Sequence, residues 1–509
     1  MLWDLYRTFE SDPFLFLIGA AGCILLLSKI YFSTKGGLRN SLRKPPGPKG
    51  WPLIGNLLDM PKSHQYLTYM EWRKKYGDVI GVNVCGQPIV ILNSRQAVHD
   101  LLVKRSAIYS NRPQMEVLNK WGGWDWTLAF MQGSEEMHRQ RRLLNQCLNK
   151  GMIARYHTTI QNEALDFCLR LMKSPERHEE LIDRMSGANI MSISYGHQLG
   201  EETDENVERI HAVFAQLIKL GNAGSHIVDM FPALSALPSW CFGLDFAKTM
   251  KRLASLMDAS LTVPYFQGLR EIVSQDSGTA KTPSMLHTLI EAHRQDDSSV
   301  AHERSIQSVL SIAYLVAAKT LVTMSTFFLA MMVYPEAQRK AQAEIDSLLK
   351  GERLPTFEDR KSLPYVEATM NEVLRWKPTL PLGLAHQSTE DDVYNGMFIP
   401  AGTTIFPNTW ACLHEEADFP DPGAFKPERY MDGAKFKQGS ILAKDFVFGY
   451  GRRACSGKHL ADAIVWMNIT LVLAIFDISL PVGKSGSPIM PDLNHKYGAT
   501  TMYVPSRCP

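Results

Sequence analysis

The chain has 509 residues, 45% hydrophobic and 21% charged, so it is long enough for a large enzyme and is neither disordered nor fibrous. Its 54 Lys and Arg residues nearly balance 52 Asp and Glu residues, which excludes a protein that binds nucleic acid through bulk positive charge. The 8 cysteines are scattered without a C-x-x-C pair, so neither a disulfide framework nor a zinc site is indicated.

The N-terminus has the pattern of a membrane anchor. Residues 14–32 form an apolar run interrupted only by Lys29, close to the roughly 20 residues that span a bilayer as a helix. Basic residues then dominate the chain up to Lys49, with no acidic residue before Asp59. The positive-inside rule therefore predicts a short lumenal N-terminus at residues 1–13, a transmembrane helix, and a cytosolic body. A buried core helix is the alternative interpretation.

A basic, Pro-rich hinge at residues 33–52 follows, in which Pro45 and Pro46 hold the chain extended. Residues 53–509 then read as one domain, mainly α with a minor β part. Apolar periodicity predicts helices and short strands along it. The predicted helices are 135–148, 162–172, 207–220, 306–333, 335–349, 363–376 and 459–476, and the predicted strands are 79–84 and 89–92.

A Gly-rich segment, residues 448–457, carries the most reactive pattern of the chain. Cys455 lies just before the last predicted helix, where the helix dipole and neighbouring basic residues favour a thiolate. Such a thiolate can ligate haem iron. Residues 449–454 also satisfy the G-x-G-x-x-A dinucleotide fingerprint after a strand-like stretch at 445–448, but no β–α alternation follows. A merely structural cysteine is a third interpretation.

Two upstream motifs favour the haem interpretation. Glu372 and Arg375 share a helix face, and the Pro-Glu-Arg-Tyr sequence that ends at Tyr430 supplies Arg429. Together with the Phe-x-x-Gly-x-Arg-x-Cys-x-Gly loop around Cys455, these motifs resemble the cytochrome P450 family, in its fungal, microsomal, secondary-metabolite branch. The resemblance extends from the Pro-rich hinge to about residue 505.

The resemblance implies the cytochrome P450 fold, haem b as cofactor and a role for each matched residue. Cys455 would be the axial thiolate that binds the iron. The haem propionates would be held by Arg453, His386 and Arg141, although His386 can also be an ordinary loop histidine. The residues expected to lock the chain beneath the haem are Glu372, Arg375 and Arg429. Met137 stands where the family usually has a tryptophan, which puts one propionate hydrogen bond in doubt.

The distal helix departs from the family pattern. The family's Ala-Gly-x-Asp/Glu-Thr falls on residues 315–319, so Ala318 replaces the acid and Lys319 replaces the alcohol, with Thr320 next. Three explanations stay open. Thr320 or a substrate hydroxyl carries the proton and the enzyme is a monooxygenase; the enzyme runs peroxide-driven, isomerase or dehydratase chemistry; or Lys319 ligates the iron in a haem-binding sensor or carrier. A misplaced register is a further alternative.

The preferred prediction is a membrane-anchored haem-thiolate monooxygenase of fungal secondary metabolism. Its substrate would be a lipophilic small molecule such as a terpenoid, contacted by the loop at residues 111–133 and by Leu380, Leu382 and Leu384. Because the chain lacks a flavin or nicotinamide domain, electrons would come from NADPH–cytochrome P450 reductase, and cytochrome b5 is a second candidate partner. The predicted location is the endoplasmic reticulum membrane, with a single transmembrane pass.

Overall fold

The computed structural model shows a mainly helical chain with small β-sheets. It describes residues 42–200, 204–220, 227–274, 284–295, 300–316, 318–483, 487–491, 496–497 and 502–503. The predicted anchor at 14–32 lies outside the described residues. Chain contacts divide the protein into two units, residues 1–45 with 390–401 and residues 46–389 with 402–509. All candidate site residues belong to the second unit.

The helices fall in the following order. They are α1 (Gln65–Tyr76), α2 (Arg95–Val98), α3 (Glu135–Leu148), α4 (His157–Lys173), α5 (His178–Tyr195), α6 (Glu205–Leu220), α7 (Ile227–Met230), α8 (Leu244–Ser274), α9 (Met285–Gln295), α10 (Val300–Val316), α11 (Ala318–Val333), α12 (Pro335–Leu349), α13 (Pro364–Trp376), α14 (Thr409–Leu413), α15 (Lys444–Val447) and α16 (Lys458–Ile475). Short 3-10 and π turns join them, including those at Val117–Trp121, Ser239–Phe242, Pro427–Tyr430 and Gly451–Arg453.

Four strands form the largest sheet, in the order β1 (Val79–Val84), β2 (Gln87–Leu92), β6 (Thr404–Pro407) and β3 (His386–Gln387). The β1–β2 hairpin is antiparallel, β2 runs parallel to β6, and β3 pairs with β6 in the antiparallel sense. Two-stranded ladders complete the β part: β4 (Asp392–Tyr394) with β5 (Met397–Ile399), β7 (Met431–Asp432) with β8 (Lys435–Phe436), and β9 (Lys496–Tyr497) with β10 (Met502–Tyr503). The described part of the first unit consists of the β4–β5 hairpin and residues 42–45, in which Phe398 N donates to Arg43 O.

The predicted elements agree closely with these bounds. The helices at 135–148 and 335–349 and the strand at 79–84 are confirmed to the residue. Both helices begin at a strong local signal. Ser134 caps α3 by accepting a hydrogen bond from the N–H of Met137, and Pro335 is the first residue of α12, where a missing N–H costs nothing. The predicted helix 306–333 corresponds to α10 and α11, and residue 317 lies outside the described residues.

Among the described residues, the second unit contains a large hydrophobic core and a smaller one. The larger one unites the helices, and its most apolar contributor is α16, whose residues from Ala463 to Leu473 are all buried. A smaller core lies between α1 and the main sheet, around Tyr66, Tyr69 and Ile91. These two cores fix the long helices and the sheet on either side of the Cys455 loop, which is where the site lies.

Among the residues that the structure describes, α16 is the only single helix long and apolar enough to cross a membrane, and 67% of it is buried inside the protein. The pair α11–α12 passes the same test only jointly and is bent by 103°. Burial of this kind is typical of core helices, so neither element replaces the predicted anchor.

Candidate functional site

The loop before α16 is folded tightly around Cys455. Its backbone N–H donates to Phe448 O at 2.7 Å, which closes the loop on itself. Gly451 has φ +52°, and a Cβ there would lie 2.2 Å from Leu102 O, so only glycine fits. The loop is therefore pressed against the turn after α2 and presents Cys455 three residues before α16 begins.

The stretch before this loop corrects one prediction. Residues 445–448 were expected to be strand-like in the dinucleotide interpretation, yet Lys444–Val447 forms the helical turn α15. A dinucleotide fingerprint needs a strand on that side and a β–α unit after it. The strand prediction was wrong because the alternation of Asp445, Phe446 and Val447 is too short to distinguish a strand from one helical turn.

Glu372, Arg375 and Arg429 meet in a buried ion cluster. Arg375 donates twice to the Glu372 carboxylate, at 2.7 and 2.8 Å, and Arg429 Nε donates to the same carboxylate at 3.0 Å. Glu372 and Arg375 are fully buried. Such a cluster is stable only when every charged atom has a partner.

Backbone carbonyls satisfy the rest of the cluster. Arg375 donates to the carbonyls of Leu413, Pro422 and Ala424, at 2.9–3.1 Å. Arg429 donates to those of Pro420 and Asp421, at 2.9 and 3.2 Å. Arg375 and Arg429 thus fix the irregular chain between α14 and the Pro427–Tyr430 turn through its backbone carbonyls.

Three guanidinium groups collect beside the Cys455 loop. Arg141 on α3 donates to Ala454 O at 2.9 Å, and Arg453 donates to Ser110 O at 2.6 Å and to Met131 O at 2.7 Å. Arg112 donates to Leu384 O at 3.0 Å and also to Ala385 O. These bonds draw the 111–133 loop and the segment after α13 onto the Cys455 loop.

The three arginines are charged groups in an unfavourable place. Burial, with the charges of Arg453 and Arg141, lowers the pKa of Arg112 to about 9. Burial and the charge of Arg141 lower the pKa of Arg453 to about 10. Burial also lowers the pKa of Arg141, although the neighbouring Cys455 opposes this. In the part of the chain that the structure describes, none of the three has a carboxylate partner, and Arg112 Nε has no acceptor at all. Buried charges of one sign call for an anionic ligand.

His386 lies at the edge of the same cluster. Its Nδ1 lies 2.8 Å from Tyr109 O, an arrangement in which the ring donates to that carbonyl and keeps Nε2 for another partner. Burial, reinforced by the charges of Arg112 and Arg453, lowers the pKa of His386 well below its ordinary value. An anion bound among these groups would reverse the electrostatic part of that shift.

A buried pair of hydroxyl groups links the Cys455 loop to α14. Tyr450 and Thr409 have their hydroxyl oxygens 2.8 Å apart, and both side chains are buried. Burial raises the pKa of Tyr450 well above its ordinary value, so the phenol stays neutral. Thr409 begins α14, whose cap, Asn408, also bonds to Asn93 and to Tyr66 O. The loop is thus joined to a rigid corner of the main sheet.

The distal side is only partly described. Thr320 lies in the first turn of α11 and is half-buried, whereas the side chains of Ala318 and Lys319 lie outside the described residues. One turn further on, the hydroxyl oxygens of Thr323 and Thr379 are 3.4 Å apart, which links α11 to the segment after α13.

The expected substrate residues pack on the hydrophobic cores. Trp121 meets Phe242 at a tilt and Phe246 edge-on, with centroids 5.4 and 5.7 Å apart, and Trp124 meets Phe130 edge-on. Leu382 was expected to face the haem, but it packs into the small core beside α1. The prediction failed for Leu382 because the chain turns at Gly383, where φ is +58°.

The comparisons with known proteins agree with this site. The family model described as Cytochrome P450 matches residues 45–500. The chain is 38% identical to cytochrome P450 monooxygenase COX2 of Coprinopsis cinerea over 93% of this chain and 90% of that protein. It is 36% identical to cytochrome P450 monooxygenase 208 of Postia placenta over 97% and 95% of the two chains. It is also 34% identical to cytochrome P450 monooxygenase claR of Ampulloclitocybe clavipes, over 92% and 86%.

These similarities define the class of protein. The chain belongs to the cytochrome P450 family, and its relatives are fungal monooxygenases, so it is a haem-dependent oxidoreductase with a cysteine thiolate as axial ligand.

The residues present fit haem b. The two propionates of a haem would supply the anionic charge that the buried Arg112 and Arg453 and the half-buried Arg141 lack, and Arg112 Nε, which has no acceptor, could donate to one of them. Arg112 was missed at the sequence level. The only signal is a single basic residue before Pro113, with no acid between Asp100 and Glu116, and that signal is weak.

Proposed function

We propose that the protein is a membrane-anchored monooxygenase that oxidises a lipophilic terpenoid in fungal secondary metabolism, with dioxygen and electrons from NADPH. The observation that carries this proposal is the Cys455 loop beside the buried Arg112 and Arg453 and the half-buried Arg141, none of which has a carboxylate partner among the described residues. Cys455 is the axial thiolate, and Arg112, Arg141, Arg453 and His386 hold the propionates. A haem bound there supplies dioxygen activation at the iron.

In this proposal, a residue at the start of α11 delivers the proton that oxygen activation needs. Ala318 cannot donate a proton, so the half-buried Thr320 is the hydroxyl that carries it to the distal side. Lys319, one residue earlier, replaces the family's alcohol with an amine. Because it is not the usual proton donor, we expect it to determine how much of the reduced oxygen is released as peroxide. The chain thus works as a monooxygenase with weakened coupling.

The substrate side is apolar and aromatic. The indole of Trp121 meets Phe242 and Phe246 from the segment before and within α8, and Trp124 is buried beside Phe130. Walls of this kind favour a hydrocarbon skeleton with few polar groups over a charged metabolite. This supports a terpenoid-like substrate that is delivered from the membrane.

A basic surface lies on the Cys455 side of the molecule. Burial and the charges of Lys458, Lys150 and Lys444 lower the pKa of His459, against the opposing charge of Asp462, so these cations lie close to the start of α16. Lys444 is also paired with Glu367 at 3.5 Å. Arg452 is also exposed there. Such a patch attracts an acidic partner, which supports docking of NADPH–cytochrome P450 reductase and, as a second donor, cytochrome b5.

Membrane association rests on two features. The apolar run at 14–32 is the proposed single-pass anchor in the endoplasmic reticulum membrane, with the body in the cytosol. Large apolar side chains are also exposed along two short segments, one at the hinge and one around the start of α8. A single exposed apolar residue is common in any protein, whereas several together support contact with lipid. These side chains are Trp51, Leu53, Leu58, Phe231, Leu237, Trp240 and Leu244.

The test is the ferrous–carbon monoxide difference spectrum of the full-length protein in membranes. We expect the Soret band of a thiolate-ligated haem, and its loss in Cys455→Ser with haem retained. A wild-type protein that binds haem but gives no such band would overturn the proposal. NADPH-dependent oxidation of a sesquiterpene hydrocarbon with a reconstituted reductase then tests the oxygenase step.

The replacement of the distal acid and alcohol favours a second candidate, a haem-thiolate enzyme that performs isomerisation, dehydration or peroxide-driven oxidation. Turnover without NADPH distinguishes it from the monooxygenase. A sensor or carrier would instead show a six-coordinate iron that no substrate disturbs.

A further inference from the structure

Two histidines outside the Cys455 site connect helices that pack on α10. His197 follows Gly196, which ends α5 with φ +79°, and its Nε2 lies 2.9 Å from Asp204 Oδ2. Its Nδ1 lies 3.3 Å from Glu271 Oε1 on α8. Asp204 directly precedes α6 and accepts from the N–H of Asn206. One imidazole therefore joins the end of α5, the beginning of α6 and the last part of α8.

His211 makes the second connection. It lies on α6, and its Nε2 is 2.7 Å from Asp183 Oδ2 on α5. Asn206 and Gln267 add a neutral hydrogen bond of 3.0 Å between α6 and α8. Helices α6 and α8 pack on each other and on α10, while α5 packs on α10 and α11. The α6–α8 pair thus packs on α10, the helix that precedes the predicted distal residues 318–320, and is linked to α5 at two points.

We propose that His197 and His211 form a proton-controlled latch that holds the α6–α8 pair against α5, so that bulky ligands reach the distal side faster as the pH rises. When protonated, each imidazolium forms charge-assisted hydrogen bonds to carboxylates on neighbouring helices. When neutral, each ring keeps at most one ordinary donor, and His197 cannot donate to Asp204 and Glu271 at the same time.

The surrounding charges set the direction. Burial lowers the pKa of His197, but its hydrogen bonds to Asp204 and Glu271 outweigh this and leave the pKa raised. The hydrogen bond to Asp183 raises the pKa of His211, against a smaller effect of burial and with help from Glu208. Because both folded-state pKa values exceed the ordinary one, the latch is complete below about pH 6.5 and is lost as the pH rises through the raised values.

Stopped-flow binding of the bulky azole clotrimazole to the ferric holoenzyme tests the latch. Between about pH 6 and about pH 8.5, the range in which histidine titrates, we expect the wild-type association rate to rise at least about threefold. The double variant His197→Gln/His211→Gln should be fast at both pH values. Comparison at equal pH removes the ligand's own titration.

Two controls isolate the latch. His287→Gln removes a histidine whose carboxylate partner, Glu291, lies on its own helix, so it should keep the wild-type pH profile. Carbon monoxide recombination after flash photolysis should differ little between variants, because a diatomic ligand does not need the helices to part. A double variant with the wild-type pH profile, or with slower clotrimazole binding, would overturn the proposal.

If the double variant does not fold, hydrogen exchange of the wild-type protein still tests the latch. Amides of 204–213 should exchange faster at the higher pH, beyond the intrinsic chemical acceleration, whereas amides of α3 should not. Equal acceleration in both segments would contradict the latch. These measurements do not depend on the substrate or on monooxygenase activity, so they fail independently of the proposed function.

Discussion

The Cys455 side and the distal side of this protein differ in how far they follow the family pattern. Around Cys455, the Glu372 cluster, the three arginines and the Tyr450–Thr409 pair are each fixed by two or more elements. On the distal side, the sequence predicts that Ala318 and Lys319 take the place of the family's acid and alcohol. We therefore expect haem binding to follow the family pattern and oxygen activation to depart from it.

The largest expected effect is at the thiolate. Cys455→Ser replaces a soft sulfur ligand with a hydroxyl, so turnover should fall to background even where the haem is retained by the arginines. The carbon monoxide difference spectrum and NADPH-dependent turnover measure this directly. Cys168→Ser, at a buried cysteine on α4, is the matched control and should keep the thiolate band. If the Cys455→Ser protein kept the thiolate band or NADPH-dependent turnover, Cys455 would not be the axial ligand.

Breaking the ion cluster should come next. Glu372→Gln leaves Arg375 buried without its counter-charge, which typically costs about 3–5 kcal/mol in the free energy of unfolding. We expect little haem-loaded protein and a strongly lowered Tm. Glu336→Gln removes an exposed i,i+3 partner of Arg339 and should change stability by less than about 1 kcal/mol. Equal stability of the two variants would show that the cluster is dispensable.

The sequence predicted this side of the molecule well because its signals are local. Helix caps, the Glu372–Arg375 spacing and the glycines of the Cys455 loop each act within a few residues, so their consequences can be derived from the printed sequence. The family resemblance then supplied the roles. What remained hidden were long-range contacts: Arg112 reaches Leu384, more than 270 residues away, and Tyr450 reaches Thr409.

The errors have the same origin. Leu382 was assigned to the pocket by counting along the chain, but the turn at Gly383 directs it to the core beneath α1. The 445–448 stretch was assigned as strand-like because four residues do not define a period, and tertiary packing made it helical. Pair interactions such as His197 with Glu271 have no sequence signature at all.

Lys319→Thr sharpens the comparison on the distal side. Restoring a hydroxyl at the family's position should lower the peroxide released per NADPH consumed by roughly tenfold, which is less than the roughly 10²- to 10⁴-fold that a positioned proton donor contributes, because Thr320 already supplies a hydroxyl one residue away. The measurement is peroxide and NADPH in the same assay. Thr323→Val, on the same helix but bonded to Thr379, serves as the control and should leave coupling unchanged. Unchanged leakage in Lys319→Thr would mean that the register of α11 is misassigned.

The smallest expected effect concerns the hydroxyl pair behind the loop. Tyr450→Phe leaves the Thr409 hydroxyl buried without its partner, which costs about 1–3 kcal/mol, whereas Tyr450→Phe/Thr409→Val removes both polar groups and should recover most of that loss. Tm of the holoenzyme measures both, and the rate at which heating abolishes the thiolate band reports on the loop itself. If the double variant were no more stable than the single one, the pair would contribute through packing and not through its hydrogen bond. The Cys455 side would then owe its rigidity to the Glu372 cluster and the arginines alone.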